Sequence, residues 1–176
     1  MYKFIVFLKA NKVLLICLIL AAVLRFWNLG SIPPHLRNDE ASFGYNAYSI
    51  LTTGKDEHGE FLPILFKSFG DWKPGLYIYS TVPFIAILGL NEWAIRLPAA
   101  ISGILGVYLL YLLVWNLFKN QKIALASAFS LSISPWHIAF SRGAWEAQVI
   151  ITLILAGLLL LIKALNQNNK YLIASA

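Results

Sequence analysis

Asp39 and Glu40 stand side by side where the chain leaves its first long apolar run. Asn38 before them suits an N-cap, Gly54 suits a C-terminal stop, and Phe43, Ala47, Ile50 and Leu51 recur at helical spacing. The spacing predicts an amphipathic helix over Asp39–Thr53, with both acids in its first turn. The helix dipole favours ionised carboxylates there. Such a group at a membrane surface can act as general base toward an acceptor hydroxyl or amine, and Asp39 and Glu40 are the candidates. Two acids capping a helix is the plainer reading. Lys73, in Asp71-Trp72-Lys73-Pro74-Gly75, can bind a lipid phosphate at headgroup height or simply snorkel beside tryptophan. Arg96 can support the same site or pair locally with Glu92. Arg142 and Glu146 are four residues apart, which on a helix suggests a local ion pair. Arg142 is also a weaker candidate for phosphate, and Glu146 for a supporting role. His137 reads as a hydrogen-bonded packing residue, and Asp56-Glu57-His58-Gly59 as a polar turn. No Cys/His spacing for a metal and no glycine loop for a phosphate is present; no cofactor is called, and a divalent metal stays optional.

These residues need a scaffold, and composition says which. Hydrophobic residues make up 59% of the 176 and charged ones 12%, so a bilayer is the fitting solvent. The net charge of +6 comes from lysines beside apolar runs, which points to membrane orientation rather than nucleic acid. The lone Cys17 lies inside an apolar run and excludes an internal disulfide. Four runs approach the ~20 residues needed to cross a bilayer: about Val13–Leu29, Leu97–Phe118, Ile123–Phe140 and Ala147–Leu165. The first lacks a small-x-small cleavage site and reads as an uncleaved anchor.

A fifth run, Pro74–Leu90, is decided by charge. If it does not cross, Lys3, Lys9, Lys12, Lys119, Lys122, Lys163 and Lys170 share one side with no acid, and all eight acids share the other. If it crosses, that separation is lost. The positive-inside rule selects the first arrangement. The expected fold is an all-α, multi-pass integral protein of the cell membrane. It has about four transmembrane helices and an extracytoplasmic loop bearing two juxtamembrane helices, about 39–53 and 74–90. The divisions are 1–29, cytosolic N-terminus and first span; 30–96, extracytoplasmic loop; 97–165, three spans; and 166–176, a cytosolic connection opening a further helix. That opening suggests the N-terminal part of a longer protein.

Four strings in order resemble one family: Arg37-Asn38-Asp39-Glu40-Ala41, Gly70-Asp71-Trp72-Lys73-Pro74, Asn91-Glu92-Trp93-Ala94-Ile95-Arg96-Leu97-Pro98, and Ser134-Pro135 with Phe140-Ser141-Arg142. The chain is similar to the GT-C membrane glycosyltransferases of the protein O-mannosyltransferase and aminoarabinose transferase branch, especially the bacterial family-39 members. The resemblance implies a polyprenyl-phosphate-linked sugar donor at the outer leaflet and inverting transfer. It implies Asp39 as base, Lys73 on the donor phosphate, and an acid such as Glu146 positioning that lysine. The acceptor is not specified. One departure is Lys73-Pro74-Gly75 where the family usually has Lys-Pro-Pro, which implies a looser helix start. The alternatives are a non-catalytic truncated or split membrane subunit and, on weaker grounds, a transporter segment.

Overall fold

The computed structural model describes residues 12–166. Its elements are α1 (Lys12–Phe26), α2 (Asn38–Thr53), β1 (Leu65–Ser68), β2 (Asp71–Pro74), α3 (Leu76–Leu88), α4 (Glu92–Phe118), α5 (Gln121–Ile133), α6 (Pro135–Arg142) and α7 (Glu146–Asn166). Helix α4 is central and packs against α1, α3, α5, α6 and α7. Small residues allow the close approach: Ala21, Ala124 and Ala128 are buried with Leu14, Val107 and Tyr111 in one apolar cluster. A second cluster, including Phe43, Phe66, Tyr77, Ile95 and Ala144, lies where α2, the strands and α3 meet the bundle.

The expectation of four spans is met in part. Among the described residues two helices are long and apolar enough to cross, Glu92–Phe118 and Glu146–Leu165. A third is reached if α5 and α6 count as one span broken by 56°. The cause of the break is Pro135, which lacks the N–H that would continue α5. Helix α1 shows 15 residues, short of a span, and residues 1–11 before it lie outside the described part. So do Lys3, Lys9, Lys170 and nearly all of 166–176.

The run expected to stay at the surface forms α3, whose 13 residues extend about 20 Å against the ~30 Å of a hydrocarbon core. Tyr77 in its first turn donates to Ile95 O at 2.9 Å in α4, so the chain enters α3 beside the start of the next helix.

An all-α fold is also corrected. Leu65–Ser68 pairs antiparallel with Asp71–Pro74, Phe66 opposite Lys73 and Lys67 opposite Trp72. The two-residue turn has positive φ at both Phe69 (49°) and Gly70 (83°), as tight hairpins with the right twist require. Strand alternation then turns Phe66, Ser68 and Lys73 inward, and leaves Leu65, Lys67 and Trp72 exposed. Gly75, where the family usually has a second proline, donates its N–H to Ile64 O at 2.8 Å, a bond proline could not make.

Candidate functional site

Helix α2 begins at Asn38, so Arg37, not Asn38, is its N-cap. Gly54 ends it at φ 70°, as expected. Its buried stripe includes Glu40, Phe43, Ala47 and Ile50, while Leu51 is exposed. Neighbours in sequence, Asp39 and Glu40 therefore face different surroundings: Asp39 lies on the open side and Glu40 is 3% exposed.

Glu40 is fully engaged. Oε1 accepts from Arg96 Nε at 2.9 Å and from the Ala144 N–H at 3.0 Å. Oε2 accepts from the Arg37 N–H at 3.0 Å and Arg96 Nη2 at 3.3 Å. Burial alone would raise this carboxyl. The hydrogen bonds from Arg96 and the two backbone N–H groups, with the guanidinium charge, outweigh burial and hold it below the usual carboxylate range. Arg96, itself fully buried, also donates to the carbonyls of Leu29, Pro33 and His35, each at 2.9 Å. The local Arg96–Glu92 pair is thus replaced by a long-range pair with Glu40. It ties the segment after α1, the start of α2, the start of α4 and the α6–α7 turn into one unit.

Arg142 and Glu146 do not pair. Arg142 donates to the carbonyls of Leu24 (2.8 Å), Trp27 (2.7 Å) and Ile32 (2.8 Å), closing the C-terminal end of α1. Arg25 does the same for α5. Its guanidinium reaches Ser132 O at 3.1 Å and Leu131 O at 3.3 Å, carbonyls whose helical partners are lost at the Pro135 break. His137 sits between Arg25 Nη2 (2.7 Å) and the Gln148 amide (3.1 Å), a hydrogen-bonded packing residue as its sequence context suggested. His58, exposed in its turn, contacts Lys67 O at 3.0 Å.

With these charges engaged, a small set faces a cavity of about 100 Å³. Asp39, Asp71 and Glu146 supply carboxylates, and Lys73 and Arg37 supply cations. Lys73, carried inward by β2, forms an ion pair with Asp39 Oδ1 and lies 5.0 Å from the centre of the Phe43 ring. Glu146 Oε2 is shut off from solvent without a hydrogen-bond partner. Arg37 lies over Trp145 at 5.0 Å, and Trp145 stacks on Phe140. A second, mostly apolar cavity of about 470 Å³ adjoins, sharing Arg37, Glu40 and Trp145 and bordered by Arg142. Among the described residues no three Asp, Glu, His or Cys side chains converge as a metal cage.

Sequence reasoning put Asp39, Lys73 and Glu146 forward, and they share one cavity. Glu40, Arg96 and Arg142 lie around it with their polar atoms spent on structure. Arg37, Asp71 and Trp145 were not singled out as site residues. The signal for Asp71 was available, since it lies two residues from Lys73. Nothing local marked Arg37 and Trp145, because the α6–α7 turn meets the start of α2 only in the fold.

Comparison with known proteins agrees with a membrane-bound transferase. A family model described as dolichyl-phosphate-mannose-protein mannosyltransferase matches residues 73–176. "Putative mannosyltransferase YkcB" of Bacillus subtilis (strain 168) is 26% identical over 165 residues, covering 92% of this chain and 22% of that protein. "Putative mannosyltransferase YycA" of the same organism is 27% identical over 97 residues, covering 55% of this chain and 14% of that one. The chain thus spans about a fifth of the length of these relatives or less. No solved structure matches. With more than half of its length under that one model, the chain belongs to the dolichyl-phosphate-mannose-protein mannosyltransferase family.

Proposed function

We propose that this chain carries the catalytic end of a transferase that moves a sugar from a polyprenyl-phosphate-linked donor to an acceptor at the extracytoplasmic membrane face. The observation that supports it best is the meeting of Asp39 and Lys73, from separate segments, in one cavity at the polar end of the bundle. That end gathers the N-terminus of α4, the C-terminal ends of α1 and α6, and every acidic residue of the chain. The lysines Lys12, Lys119, Lys122 and Lys163 lie at the opposite helix ends, which fits a cytosolic face there.

The chemistry follows from residue types. The sugar phosphate is a good leaving group, so the site needs cations for the departing charge more than a general acid. Lys73 takes that role, with Arg37 as the second cation on the cavity. Asp39 removes the proton from the acceptor as its heteroatom attacks the anomeric carbon opposite the phosphate, which inverts that centre. A positioned base of this kind contributes about 10²–10⁴-fold. Glu40 and Arg96 act on the reaction only by holding the start of α2 in place. In the full-length protein Asp39→Asn is expected to lower transfer by at least that base contribution with membrane insertion intact. Near-normal transfer by this variant removes Asp39 as the base.

A further inference from the structure

The two residues assigned to base and phosphate occupy each other. Lys73 donates to Asp39 Oδ1, and Asp39 is the only anion paired with Lys73 among the described residues. A carboxylate oxygen engaged by an ammonium cannot take an acceptor's proton through the same lone pair. An ammonium neutralised by a carboxylate gives a phosphate less of its charge, although two of its three N–H donors remain. Each competes with the other's proposed partner: the carboxylate with a phosphate for Lys73, the ammonium with an acceptor for Oδ1.

The pair is unequal in what holds it. The Lys73 side chain is 8% exposed, fixed by its strand and by the face of Phe43. The Asp39 side chain is 55% exposed, on the first turn of α2. Asp39 is therefore the partner that can swing away, and Lys73 the one that stays. Asp71 and Glu146 border the same cavity, but neither is paired with Lys73.

We propose that the Lys73–Asp39 contact is a donor-operated lock: a phosphate entering the cavity takes the Lys73 ammonium, and both oxygens of Asp39 are released to the acceptor only then. This rests on the roles given to the two residues above and adds an order, donor before acceptor activation. The exchange is ionic, and no covalent bond forms or breaks in it.

The test is binding of farnesyl phosphate to the full-length protein in detergent, by calorimetry, alongside sugar transfer. Removing Asp39 frees Lys73, so Asp39→Asn should bind about two- to fivefold tighter, the scale of a half-exposed ion pair, while transfer is lost. Asp71→Asn removes a charge from the same cavity without touching the pair and should tighten binding less. Lys73→Ala should weaken it about tenfold. If Asp39→Asn binds no tighter than the parent, or if Asp39→Asn and Asp71→Asn tighten alike, the lock is overturned. If Asp39→Asn still transfers sugar, the base assignment fails instead, whatever the binding shows. Asp39→Ala serves the same comparison if the Asn variant is not recovered.

Discussion

Replacing Glu40 by alanine strips an acceptor from four donors at once: Arg96 Nε and Nη2 and the N–H groups of Arg37 and Ala144. Arg96 would be left fully buried with its counter-charge gone. Breaking a buried pair from one side costs about 3–5 kcal/mol. The low end of about 3 kcal/mol applies here, because Arg96 keeps the carbonyls of Leu29, Pro33 and His35. Asp39→Asn offers the internal control: its pair with Lys73 is half exposed on the Asp39 side and is worth at most about 1 kcal/mol. Denaturant unfolding of the full-length protein in detergent should therefore rank Glu40→Ala well below Asp39→Asn. The double variant Glu40→Leu/Arg96→Met should recover much of the loss, since a buried pair replaced by apolar groups is often neutral. The same carboxylate predicts a pH effect. Its folded pKa lies below the ordinary carboxylate range, so its stabilisation is complete above that range and is lost as pH falls through the lowered folded value. The Glu40→Ala protein should lack that part of the acid slope. Equal stability of Glu40→Ala and Asp39→Asn, or an unchanged acid slope, would refute the reasoning that Glu40 is structural.

Gly103→Ala should destabilise by about 1–3 kcal/mol in the same unfolding assay, because its Cβ would lie 2.5 Å from Ser141 Cβ and 2.8 Å from Arg25 Nε, where α4 passes α6 and the arginine that closes α5. Single cysteines at positions 71 and 120 in a Cys17→Ala background should react with a membrane-impermeant thiol reagent from opposite sides of the membrane, position 71 from outside. Labelling of both from one side would mean that the helix after Lys73 crosses and that the charge argument for orientation is wrong.

What could be read from the chain followed from local chemistry with a strong period. The stripe of Phe43, Ala47 and Ile50 in α2 and its stop at Gly54 are set by neighbours in sequence, and the structure keeps them. The hairpin was missed because Phe61–Phe66 carries no strand alternation between polar and apolar residues, and its pairing is fixed only when Phe66 and Lys73 turn inward together. Hydropathy is blind to a single residue: Ser134-Pro135 changes the composition of a run hardly at all, yet it bends that run by 56° between α5 and α6. Hydropathy also treats a charge near a span end as a cost to be avoided, whereas here three arginines turn such ends to use. Arg25 closes α5 at the break, Arg142 closes α1, and Arg96 gathers the carbonyls that follow α1 while holding Glu40. Each partner is more than 50 residues away in sequence, so no spacing rule could announce it. The sequence reading treated the six candidate charges as one population because they collect at one face. Hydrogen bonding divides them: Glu40 and Arg96 hold each other and nearby backbone groups, and Arg142 holds the carbonyls at the end of α1, so these three build the rim, while Asp39, Lys73 and Glu146 face the cavity with chemistry still available to do.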